Sequence, residues 1–83
     1  MKREVDDLIE IRKRFANNLK NYRRSRRYTQ NMLSDKLGIK RAALASYEEN
    51  RAFPNPKVLC GLSRLSNTPV DAFLNIHIMW KEI

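Results

Sequence analysis

The chain has 83 residues, with 17 Lys plus Arg against 9 Asp plus Glu and a formal net charge of +8. That length suits one core, and a second, ligand-sensing or protease domain is not expected within it. Hydrophobic residues at 42% and charged residues at 31% give the balance of a folded domain rather than a disordered chain.

No Gly or Pro precedes Gly38, so nothing breaks a helix early. Leu8, Ile11, Phe15, Leu19 and Tyr22 recur at steps of three and four, which predicts a first helix over about residues 4–25. Thr29 follows as a good N-cap, because its hydroxyl can accept a free amide of the next first turn. Met32, Leu33 and Leu37 form the apolar side of that short second helix, and Gly38 ends it. Ile39 leads into KRAALASYEE, a third helix with Leu44 and Tyr47 on one face. Asn55 and Pro56 fit the N-cap and first position of a fourth helix, whose inward side is Leu59, Leu62 and Leu65. Thr68-Pro69 repeats the cap-plus-proline signal before a fifth helix with Val70, Phe73 and Leu74. The predicted fold class is all-α. In the tail, residues 76–83, Ile76, Ile78 and Trp80 alternate as in a strand, yet the same residues could continue the fifth helix. Its apolar surface suits packing on its own domain or a dimer contact.

One Cys and one His exclude several chemistries. Cys60 and His77 cannot supply the roughly four ligands of a structural zinc site, and one Cys forms no internal disulfide. A Ser-His-Asp triad would have to use His77, far from any Gly-x-Ser-x-Gly turn. Gly38 and Gly61 are the only glycines, so there is no phosphate-cradling loop. The expectation is a protein without catalysis, metal or cofactor, and with no small-molecule effector evident. Cys60 is expected to be an unreactive buried thiol, and His77 and Trp80 to be packing or surface residues. No apolar run approaches the ~18 residues of a membrane span. Acids interrupt the N-terminal MKREVDDLIEIRKR where a signal peptide is apolar. A cytoplasmic location is expected.

The charge is uneven. Residues 1–10 are net acidic, whereas residues 11–34 hold Arg12, Lys13, Arg14, Lys20, Arg23, Arg24, Arg26 and Arg27 with no acid. A solvated helix face is the plain reading of such a run. Without compensating acids, though, it creates a local positive potential that attracts a polyanion. A membrane surface fits less well, because the apolar residues of this segment already form an inward stripe.

From Gln30 to Glu49, two short helices meet at Gly38, with apolar residues at Leu33, Leu37, Ile39, Leu44 and Tyr47 and the small Ser34 at the close contact. That pattern locks two helices at a wide angle around a tight turn. With Leu19-Lys20-Asn21-Tyr22-Arg23, Tyr28-Thr29-Gln30, Lys36-Leu37-Gly38-Ile39, Ser46-Tyr47-Glu48 and Pro54, the chain resembles the Cro and phage-repressor type helix-turn-helix, the XRE family of regulators. The likeness covers roughly residues 15–75 and weakens towards Phe73-Leu74.

The resemblance implies a five-helix, lambda-repressor-like domain whose third helix, about 40–49, enters the major groove of double-stranded DNA. It implies that Gln30 bonds a phosphate, often while touching the recognition helix. Thr29, Lys40 and Arg51 then meet the backbone, and Arg41, Ala42, Ala45 and Ser46 meet base edges. Arg23 and Glu48 match a partly buried structural ion pair. Arg41 can donate two bonds to guanine O6 and N7, worth ~1–3 kcal/mol of discrimination. Ala42 and Ala45 can only contact a thymine methyl or permit close approach, and Ser46 discriminates weakly. Shape and phosphate contacts must then carry much of the specificity.

The chain departs from the family where Arg27 and Asn50 replace common glycines and where Ser66 replaces a large apolar residue. Residues 1–14 form an N-terminal extension of the first helix. Its Val5, Leu8 and Ile9 could pair with a second copy or cap the first. The expectation is a homodimeric transcriptional regulator, a repressor, with recognition helices ~34–36 Å apart. A DNA-binding antitoxin with a toxin partner, and an interaction module that has lost DNA binding, stay open as alternatives.

Overall fold

The computed structural model describes residues 4–82, with side chains from Asp7 onward. Five helices follow in order: α1 Glu4–Ser25, α2 Gln30–Leu37, α3 Arg41–Glu48, α4 Pro56–Ser66 and α5 Val70–Asn75. No strand occurs among the described residues. Every helix contributes to one core, formed by Phe15, Leu19 and Tyr22 of α1, Leu33 of α2, Leu44 of α3, Leu62 of α4 and Phe73 of α5. Leu8 and Ile9, earlier on α1, stay largely exposed. The side chain of Val5 lies outside the described residues.

The turns follow local chemistry. Thr29 Oγ1 accepts the Met32 amide at 3.1 Å and caps α2. Gly38 closes α2 at φ 69°, and Ile39 N–H donates to Ser34 O at 3.0 Å, a glycine-centred helix stop. Ser34 is buried, which explains the small residue there. Asn55 Oδ1 accepts from Val58 N–H at 3.0 Å to start α4. Arg27 and Asn50 both stand at φ 58°, so these residues adopt the left-handed conformation that glycine would take without strain. Asn67 ends α4 in the same way, at φ 52°.

Three expectations need correction. Thr68 does not cap α5. Its hydroxyl donates back to Ser66 O at 3.0 Å, Pro69 takes the N-cap position, and the helix starts one residue later, at Val70. Cys60 is exposed, not buried. The inward side of α4 is set by Val58, Leu62 and Ser66 at steps of four, and Cys60 points about 160° away from it. The tail is neither a strand nor more of α5: Ile76 turns to extended backbone and no ladder partner follows.

A buried asparagine holds that tail. Asn18 is fully buried, and its Nδ2 donates to Phe73 O at 2.9 Å and Ile76 O at 2.7 Å. Its Oδ1 accepts from Ile78 N–H at 3.0 Å, and its backbone carbonyl accepts from Trp80 Nε1 at 3.0 Å. Trp80 then packs at 5.0 Å from the Tyr22 ring and 5.2 Å from the Phe73 ring. The apolar tail thus covers part of its own core. Ser66 satisfies its buried hydroxyl on Leu62 O at 2.7 Å. Burial pushes the Tyr22 hydroxyl pKa up, nearby Tyr28 adds to this, and Arg26 opposes it.

Candidate nucleic-acid interface

The α2–turn–α3 unit presents the start of α3 to solvent. Lys40, Arg41 and Ala42 are exposed there, whereas Ala45 and Ser46 further along are half-buried. Ser46 Oγ donates to Ala42 O at 3.0 Å, which leaves it mainly an acceptor. Thr29 is exposed; its oxygen is engaged by the α2 cap, and its O–H can still donate. Arg51 is exposed and paired with Glu49, with Nε to Oε2 at 2.9 Å. A surface pair of this kind is worth little and exchanges readily for a phosphate.

Behind this face runs a continuous polar chain. Arg41 Nη1 donates to Gln30 Oε1 at 3.1 Å, and Gln30 Nε2 donates to Glu48 Oε1 at 3.3 Å. Glu48 also receives Arg23 Nε at 2.7 Å and Nη2 at 3.1 Å, a two-pronged ion pair. The Glu48 side chain is 1% exposed and that of Arg23 15%. The remaining Arg23 nitrogen, Nη1, donates to Tyr28 O at 3.0 Å. So Arg23, Glu48, Gln30 and Arg41 form one ladder from the interior of α1 to the surface of α3. Arg41 keeps its Nε–Nη2 edge outside this ladder.

The spacing Lys13, Asn17, Lys20 is one face of α1; the sequence reading counted its two lysines in the basic run that attracts a polyanion and assigned Asn17 no role. The structure sets that face beside the end of α3. These three residues share an open groove of about 420 Å³ with Glu48, Glu49 and Asn50. The steps of four and three were the available signal; the neighbouring element was not. Among the described residues no group of His, Cys, Asp and Glu could hold a metal, and no helix is long and apolar enough to cross a membrane.

The family model described as helix-turn-helix matches residues 19–73, which spans α2, α3 and most of the core. The chain belongs to the helix-turn-helix family. It is 37% identical over 60 residues to YqaE of Bacillus subtilis (strain 168), named as an uncharacterized HTH-type transcriptional regulator. That match takes in 72% of this chain and 52% of the relative, so the chain spans about half of the relative's length. No solved structure matches the chain significantly.

Proposed function

We propose that this helix-turn-helix protein binds double-stranded DNA sequence-specifically and regulates transcription, as a cytoplasmic, homodimeric repressor without catalytic activity. The observation that carries the reading is the Arg23–Glu48–Gln30–Arg41 ladder, which holds an exposed guanidinium at the start of α3. Held by one nitrogen, Arg41 offers its Nε–Nη2 edge to the two acceptors of a guanine. Ala42 beside it permits close approach. Thr29, Gln30, Lys40 and Arg51 supply donors for flanking phosphates, and the acid-free run over residues 11–34 supplies the long-range attraction. Ala45 and Ser46 add only weak discrimination.

Selection of binding sites from random duplex DNA, with affinity measured across salt, tests this. The expected result is an inverted repeat and affinity that falls steeply with salt. No enriched sequence and a flat salt response would sink the proposal. Arg41→Ala should relax preference at one base pair per half-site by ~1–3 kcal/mol. Gln30→Ala should weaken binding to every sequence through the lost phosphate contact and, by freeing Arg41, should also partly relax preference at that same position.

A further inference from the structure

The turn that ends α3 sets an acid against a donor that the DNA reading needs. Glu49 closes the helix, and Asn50 reverses the chain at φ 58°. The Glu49 amide donates to Ala45 O and the Arg51 amide to Ser46 O, both at 2.9 Å. With their backbones anchored on α3, the two side chains meet. Arg51 Nε and Nη2 both donate to one Glu49 oxygen, Oε2, at 2.9 Å and 2.5 Å. The side chains of Arg51 and Glu49 remain 63% and 56% exposed.

Helix physics gives no reason for an acid at this position. The C-terminal end of a helix carries partial negative charge, which an acid opposes. Glu48, one residue earlier, is offset by Arg23 in the interior. Glu49 lies outside that arrangement. Lys13 and Lys20 of α1 share a groove with it, yet its ion-pair partner among the described residues is Arg51.

We propose that Glu49 is a built-in competitor for the phosphate that Arg51 meets, and that it lowers affinity for duplex DNA without changing which sequence is preferred. Carboxylate and phosphate seek the same guanidinium edge. Binding first breaks the pair, and Glu49 then faces the phosphate as a like charge. Neither effect depends on sequence, because every nucleotide carries the phosphate. Arg41, the base reader, stands at the other end of α3 and is held by Gln30. In a chain of net charge +8, this subtraction limits attachment to arbitrary duplex. The inference rests on the DNA reading above and assigns Glu49 a part in it.

Affinity of the full chain for the selected site, and for a random duplex of equal length, tests this across a range of salt. Glu49→Gln should tighten both by the same factor, at least about two- to fivefold per half-site, which is the worth of an exposed pair. It should also steepen the salt dependence by roughly one counterion per half-site. Arg51→Gln should cost about two- to fivefold more in the Glu49→Gln chain than in the wild type, since the pair exists only off DNA. The urea midpoint should stay at the wild-type value in both single variants. An equal cost of Arg51→Gln in the two backgrounds overturns the inference. So does a Glu49→Gln chain that binds no tighter, or that tightens on one duplex alone. The two readings fail differently. A wild-type chain that binds no duplex removes both, whereas a selected site bound with indifference to Glu49 removes this inference and leaves the DNA reading standing.

Discussion

Glu48 ties three donors into one carboxylate in the interior, and that makes it the most consequential single side chain of the α2–α3 unit. Glu48→Ala should cost ~3–5 kcal/mol, because it strands the Arg23 guanidinium. Replacing both partners with apolar residues, Arg23→Met with Glu48→Leu, should recover much of that loss in urea unfolding. The double variant should still lose DNA discrimination, since Gln30 and Arg41 lose their anchor. The pairing of Arg23 with Glu48 was legible, because the resemblance fixes both positions. The link from Gln30 to Arg41 was only half legible. A sequence places two side chains near each other but does not choose their rotamers, and the resemblance named the recognition helix rather than Arg41. Cys60 was misjudged because an apolar helix suggests burial. Its angular position relative to Val58 and Leu62 decides the matter instead.

At the scale of elements, helix limits follow from caps and glycine-like turns. Gly38, Arg27 and Asn50 all need positive φ, and they separate steric crowding from backbone strain. A Cβ added at Gly38 would meet nothing within 4 Å, so Gly38→Ala tests the backbone term alone. It should cost about 1 kcal/mol in urea unfolding. Arg27→Gly should do the reverse and raise the unfolding free energy by about a few tenths of a kcal/mol, the relief of strain less the added chain entropy. The five helices were legible because apolar period, cap and stop agreed for each. The start of α5 was not, since the Thr68 hydroxyl can cap forward or bond backward, and the short link after α4 favours the second. The tail was not legible either. Alternating apolar residues read as a strand when the partner is another strand, but here the partner is Asn18, through both its side chain and its backbone carbonyl.

The whole molecule measures 40 × 26 × 19 Å, the long dimension reflecting a helix whose 22 residues span about 33 Å. Its core is one cluster reached by all five helices, so α1 and residues 73–80 belong to one cooperative body. Asn18 makes that concrete, joining positions about 60 residues apart through bonds that no local segment can form by itself. Such closure is entropically late, after the local helices have formed. Hydrogen exchange should then divide the tail in an unusual way. The Ile78 amide lies in a stretch with no regular structure, yet it is held on a buried oxygen and should exchange only on global opening. Met79 beside it, 86% exposed, should exchange almost as fast as a free peptide. One slow amide in an irregular stretch would then report, from the far end of the chain, whether the first helix is folded.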